Sequence, residues 1–329
     1  MKKIIIINII FIFSLLLILE LTFRIFNISY TQDIDNNLFY KENNITMNNK
    51  NTISRVFGKT VVTDKYGFRV PDVDYKYEHD ESILVLGDSV SFGIGVDEKD
   101  SFIGFSREII NKNIYNASVM GLNITNYGEL LKNYSNKFND ISKVLIFICL
   151  NDTFFNQGVI DKSEFKKIIN DKERGLVSSL VKNKFLIKID VFLRGKSALF
   201  VFIKSLVTNP YKRGFYFSFY DYSDEEKMRI FKESTKKILN VSRSKNLNTK
   251  YIVLPFAYQI DHLKCDPKYL LPQKKIKEIF KEFNESIEDL TDDFCEYNRP
   301  KTLFFDSVHL SKQGNKFVFE LLQKRNILN

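Results

Sequence analysis

The sequence predicts a three-layer α/β fold with a mostly parallel sheet, and three observations carry that prediction. Short apolar runs, SILVL at 82–86, KVLIFICL at 143–150 and YIVL at 251–254, stop at Gly87, Asn151 and Pro255. Runs of this length without polar alternation suit strands buried on both faces. Between them lie helix-like stretches at 102–111, 126–138, 223–241 and 273–290, and a last one runs from the N-cap candidate Ser311 to about 323. Strand and helix in alternation build a sheet covered by helices on both sides.

The chain begins with a different element. Residues 4–23 are apolar except for Asn8, Ser14, Glu20 and Thr22, and they follow Lys2 and Lys3. About 20 such residues span a bilayer. The two lysines favour a cytoplasmic N-terminus, which places the rest of the chain outside. Residues 1–23 are therefore read as a transmembrane signal anchor in the cell membrane, with a single pass and an extracytoplasmic main domain. Cleavage as a signal peptide is the competing reading; the bulky residues 21–30 offer no small-x-small site for it. Residues 24–80, polar and rich in Asn, read as a membrane-proximal stalk and entry segment. Residues 81–329 read as the main domain, with an insertion at about 161–219 that breaks the strand–helix rhythm. That insertion carries LVKNKFLIKIDVFL and ALFVFIKSLV, interrupted by Lys182, Lys184, Lys188, Arg194 and Lys204. It reads as a helical cap, or as an amphipathic surface against anionic lipid or over the active site.

Composition narrows the function classes. The 329 residues carry a formal charge of +9, but Lys, Asn and Ile are abundant throughout while Gly, Pro and Trp number 13, 6 and 0. That pattern follows low-GC codon usage, and no compact basic run is interleaved with aromatics, so nucleic acid is not expected as a partner. Three cysteines cannot all pair within one chain. Cys149 lies inside an apolar run and reads as a buried thiol; Cys265 and Cys295 are left as a pair whose closure spacing alone does not decide. There is no histidine pair at ligand spacing and no glycine-rich phosphate loop, so neither a metal nor a cofactor is expected.

Four local signals carry chemistry. Gly87, Asp88 and Ser89 follow an apolar strand directly, where a following helix start offers backbone N–H groups to a developing oxyanion. Asp306 and His309, in DSVHLS, stand three residues apart in a turn before the final helix. A neutral imidazole can take the serine proton while a carboxylate on its other nitrogen fixes the tautomer. His79 and His262 have no such setting. Asn151 and Asp152 follow the strand at 143–150, and Gly121 follows a short strand near 114–117. Asn151 offers an uncharged donor, and Gly121 lets a backbone N–H approach a substrate closely.

Taken in order, Ser, Gly, Asn and Asp-x-x-His, each at a strand end, resemble the four sequence blocks of the SGNH (GDSL-type) serine hydrolase and acyltransferase family. The resemblance covers roughly residues 60–326, and VTDKYGFRVPD at 62–72 looks like the entry sequence of membrane-anchored members. It implies a flavodoxin-like α/β/α fold and Ser89 as nucleophile. It further implies His309 as general base and acid, Asp306 as its partner, and the Ser89 amide with Gly121 and Asn151 as oxyanion donors. Cys149 stands where the family commonly has Gly, and Ser91 where it often has Thr. The implied activity is serine-dependent ester hydrolysis, directed at O-acyl (acetyl) groups on cell-envelope glycans. O-acyl transfer by the same residues, lipid ester hydrolysis, and a silent glycan-binding scaffold stand as alternatives. The expected partners are thus an acylated carbohydrate or lipid ester and the membrane, and Tyr258 and Gln259 are wall candidates for the pocket.

Overall fold

The computed structural model describes residues 2–26, 29–42, 45–153 and 184–328. It divides into two compact units, a larger one of Asn36–Ser54, Lys59–Ile168 and Tyr211–Asn329 and a smaller one of Met1–Asp35, Arg55–Gly58 and Ile169–Pro210.

The larger unit is built on parallel strands β6 (Ser82–Leu86), β7 (Asn113–Asn116), β8 (Ile141–Cys149), β9 (Asn248–Leu254) and the two-residue β10 (Glu288–Asp289). With β3 (Thr52–Val56), β4 (Lys59–Thr63) and β5 (Arg69–Val70) the sheet order is β10-β9-β8-β6-β7-β5-β4-β3. β5 pairs antiparallel with both β4 and β7. All five residues of β6 are buried, as its continuous apolar run requires for a strand covered on both faces.

Side-chain alternation proves the two covers. Phe147 and Ile146 point to opposite faces of β8. The Phe147 ring meets Phe102 of α3 (Phe102–Arg107) at 4.7 Å. Ile146 pairs with Tyr251, whose ring meets Phe280 of α9 (Leu271–Glu282) at 4.8 Å on the other face. α3 packs with α11 (Lys312–Lys324), and α4 (Ile124–Lys137) packs with α8 (Glu225–Ser244). The remaining helices of this unit are α2 (Ser89–Phe92), α7 (Pro210–Asp221) and α10 (Thr291–Glu296). The caps follow the sequence: Asp88, Ser101, Asn123, Asp224 and the expected Ser311 each accept a hydrogen bond from the first turn of their helix.

One sequence expectation is corrected here, and one open question is answered. Much of 24–80 is not a stalk: it supplies β3–β5 of the main sheet and the antiparallel pair β1 (Phe39–Glu42) and β2 (Ile45–Asn48). β3, at the edge of the sheet, alternates exposed and buried residues, while β4 and β5 carry Lys59, Thr60, Thr63 and Arg69 among their residues, so the span reads as polar. Cys265 and Cys295 form a disulfide, with Cα atoms 6.0 Å apart, while Cys149 is free and buried.

The smaller unit contains α1 (Lys2–Ile25), α5 (Lys184–Lys196) and α6 (Ala198–Val207). The segment Lys3–Ile25 is long and apolar enough to cross a membrane, by length and composition. Of the expected insertion, residues 161–183 lie outside the described residues; residues 184–219 are helical apart from short connections.

Candidate active site

Because β6, β7 and β8 are parallel, their C-terminal ends share one edge of the sheet, and Ser89, Gly121 and Asn151 all follow those ends. Ser89 opens α2 directly after β6. The first N–H groups of a helix have no partner within it, so the Ser89 amide points outward from the helix start.

The Ser89 hydroxyl lies 2.9 Å from His309 Nε2, and His309 Nδ1 lies 2.7 Å from Asp306 Oδ2. A carboxylate only accepts, so Nδ1 carries the hydrogen and Nε2 presents its lone pair to the Ser89 O–H. The other carboxylate oxygen of Asp306 accepts the backbone N–H groups of Val308 at 2.8 Å and His309 at 2.7 Å. The tight turn therefore orients its own acid. Burial alone would push the imidazole pKa down, but the charge and hydrogen bond of Asp306, with the Asp88 charge behind them, hold it above its ordinary value. Burial would likewise raise Asp306, yet the charge and hydrogen bonds of His309 and the Val308 amide hold it below the usual carboxylate range. Together these groups can strip a proton from Ser89 and hold it as imidazolium.

Asn151 sits in the single 3-10 turn after β8, and its Nδ2 donates to Asp88 Oδ2 at 2.9 Å. One of its two amide hydrogens is thus fixed by Asp88. Gly121 is exposed in the turn before α4 with φ at +76°, a backbone region that glycine enters without strain. Asp152, which follows Asn151, is fully buried; Tyr127 Oη donates to it at 3.0 Å and the Cys149 amide at 3.3 Å. Burial and the nearby Asp88 charge push its carboxyl well above the ordinary value despite these bonds. The Cys149 thiol is pushed up in the same way, by burial and the charges of Asp88 and Asp152, which keeps it protonated and unreactive.

Two contributors escaped the sequence reading. Arg69 of β5 is fully buried and donates to the carbonyls of Phe92 at 2.6 Å, Gly93, and Val96 at 2.8 Å. Burial pulls its guanidinium down to about 10, so it stays charged at neutral pH while gripping the loop after Ser89. Phe305 stacks on the His309 ring at 5.6 Å and 17°. Gly95 makes room for it: a Cβ there would lie 2.3 Å from the Phe305 ring. The signals existed, as Arg in the entry segment and Phe beside the Asp-x-x-His turn, but neither spacing nor residue type announced them.

The wall candidates separate. Tyr258 is half-buried, stacked on His262 at 4.8 Å and within 6.0 Å of Tyr216. Gln259 is fully buried, bonded to the Tyr269 carbonyl and to Gln273, so it is corrected from pocket wall to core. Its place in a buried amide network leaves it no face toward a substrate. Tyr258 belongs instead to an aromatic group with Phe215, Tyr216, Phe219 and Tyr269. α7, which carries three of these rings, passes the catalytic turn where a Cβ on Gly214 would lie 3.3 Å from Ser307 Oγ.

A serine, an imidazole and a carboxylate in hydrogen-bonded series at the end of a parallel α/β sheet define the serine hydrolase class of site. The family model of GDSL-like Lipase/Acylhydrolase matches residues 83–322, and the chain belongs to that family. It is an ester-bond hydrolase of the SGNH type. No curated protein matches the chain. Similar solved structures include a lipolytic protein of the G-D-S-L family from Veillonella parvula DSM 2008, at TM-score 0.40 and 13% identity over 74% of this chain and 97% of that one. The acetyl xylan esterase AlAXEase is similar at TM-score 0.45 and 15% identity, over 74% and 98%. The esterase EstA from Pseudoalteromonas sp. is similar at TM-score 0.42 and 12% identity, over 76% and 100%.

Proposed function

We propose that this protein is a membrane-anchored esterase that removes O-acyl groups, acetyl above all, from cell-envelope glycans, with Ser89 as nucleophile. α1 is the retained anchor, and Lys2 and Lys3 keep its start in the cytoplasm. The catalytic unit then works outside. The observation that carries the reading is the continuous Ser89–His309–Asp306 hydrogen-bond series.

In the reaction, His309 Nε2 takes the hydroxyl proton as Ser89 Oγ attacks the ester carbonyl. The tetrahedral oxyanion is held by the N–H groups of Ser89 and Gly121 and by the free Nδ2 hydrogen of Asn151. The imidazolium then protonates the leaving sugar oxygen, and an acyl ester remains on Ser89. A water, deprotonated by His309, attacks that ester and releases the carboxylic acid and the serine. Each preorganised donor lowers the barrier by roughly 2.7–4 kcal/mol. The half-exposed rings of Tyr216, Tyr258 and Tyr269 support a sugar substrate, since each offers a flat apolar face with a polar edge.

The test is hydrolysis of an aryl acetate and of acetylated polysaccharide by the folded protein and by its Ser89→Ala variant of equal thermal stability. Loss of both activities in the variant supports the reading. Equal activity in the variant sinks it. Acetyl recovered on an added glycan acceptor instead of as acetate identifies transfer rather than hydrolysis.

A further inference from the structure

We propose that α5 and α6 form a platform lying in the lipid interface, latched to the outer end of the membrane helix by Glu20. The inference rests on α1 being a retained span.

A carboxylate inside an apolar span is costly and marks a structural or functional role. Here Glu20 is fully engaged. Its Oε2 accepts Ser197 Oγ at 2.8 Å and the Leu199 amide at 3.0 Å, and its Oε1 accepts the Ala198 amide at 2.9 Å and Arg24 Nε at 2.7 Å. Arg24 also donates to the Lys196 carbonyl at 2.6 Å, and Phe23 meets Phe202 edge to face at 4.8 Å. One turn of α1 thus holds both the end of α5 and the start of α6.

The latch fixes a depth. From Lys3 to Glu20 the helix rises about 25 Å at ~1.5 Å per residue, against a hydrocarbon core about 30 Å thick. The α5–α6 junction therefore lies where acyl chains give way to headgroups.

The exposed faces suit that depth. Phe185, Ile189 and Phe192 recur at helical spacing on one side of α5, exposed by 68%, 38% and 64%, and Ile203 and Leu206 of α6 are exposed by 50% and 71%. In water such faces would cost free energy; in the interface they bury. Asp190, the one carboxylate of the two helices, is bridged by both Arg194 and Lys204. Lys188 and Lys196 are exposed. The balance is cationic, which favours anionic headgroups over a neutral surface.

The experiment uses the full chain in vesicles of phosphatidylcholine and phosphatidylglycerol, with an environment-sensitive fluorophore on one introduced cysteine. Cys149 is buried and the other two cysteines are paired, so only the new thiol labels. The sites are Phe192→Cys and Leu206→Cys, with Leu16→Cys in α1 and Ile109→Cys, exposed on the larger unit, as references. Retained ester hydrolysis verifies folding of each. We expect shallow nitroxide lipids to quench 192 and 206 by about twofold or more, deep nitroxides to act most on 16, and neither to act on 109. If 192 and 206 behave like 109 while 16 is quenched, the platform is overturned and the anchor stands. If 16 is unquenched as well, the anchor reading falls and the platform with it. A blue-shifted but unquenched signal at 192 and 206 assigns the face to a protein partner and overturns the lipid proposal.

Discussion

Asp88 Oδ2 accepts the Asn151 side-chain amide at 2.9 Å while Asp88 Oδ1 accepts the Val90 N–H at 2.9 Å. The residue before Ser89 thus caps the helix that Ser89 opens and orients the Asn151 amide, the proposed oxyanion donor, at once. Asp88→Ala should lower kcat by about 10²-fold, the scale of losing one oxyanion donor, with KM nearly unchanged. The lost cap should cost about 1 kcal/mol of stability. Steady-state kinetics and thermal melts check both, and a kcat equal to that of the parent protein rules out the aiming role.

Acidification should switch the enzyme off above the ordinary histidine range. The proposed mechanism needs neutral His309, whose pKa is held above 6.5 chiefly by Asp306. The acidic limb of log kcat/KM should therefore bend above pH 6.5. Asp306→Asn should move that limb to lower pH and cut the rate by roughly 10⁴-fold. For stability the signs are opposite for the two partners. The raised His309 contribution is full below its unfolded pKa and fades as pH rises through the folded one. The depressed Asp306 contribution is full above its unfolded pKa and fades as pH falls through the folded one. The pair should stabilise most between about pH 4 and pH 6.5, which a Tm-versus-pH series on the Asp306→Asn variant measures.

Asp152→Asn should stabilise the protein, and more at pH 8 than at pH 5. The buried carboxyl has a raised pKa, so the folded state favours its protonated form and loses stability as pH rises above the unfolded carboxyl value. An amide keeps an acceptor for Tyr127 or the Cys149 amide without the charge. A Tm difference independent of pH would contradict this assignment.

Reducing Cys265–Cys295 should lower stability without lowering activity at 25 °C. The bridge spans 30 residues, for which chain entropy suggests about 3 to 4 kcal/mol, and neither cysteine bonds to the site. Melting with and without a thiol reductant, alongside ester hydrolysis, separates the two effects.

How much was legible in the sequence follows from the range of each interaction. β6, β8 and β9 announce themselves because continuous apolar runs end at turn residues, and Asp306 and His309 because a local turn is enough to pair them. Gly121 and Asn151 carry no local mark beyond strand ends; their grouping came from the family pattern. β10, with the sequence Glu-Asp, is a strand only because β9 offers it a free edge. β3–β5 stayed hidden because they are short and mix Thr, Ser, Lys and Arg with their few apolar residues, which leaves no continuous apolar run. Arg69 was unreadable for a further reason: its partners are backbone carbonyls 23 to 27 positions away, and carbonyls have no sequence signature.

Arg69 has one more consequence. The stretch shared with the family begins at residue 83, yet the loop behind Ser89 is gripped by a side chain that precedes it. A gene fragment trimmed to the matched stretch would encode Ser89, Asp306 and His309 and leave the loop after Ser89 without the Arg69 clasp. The structure that holds the loop behind Ser89 thus reaches upstream of the stretch that the family model matches.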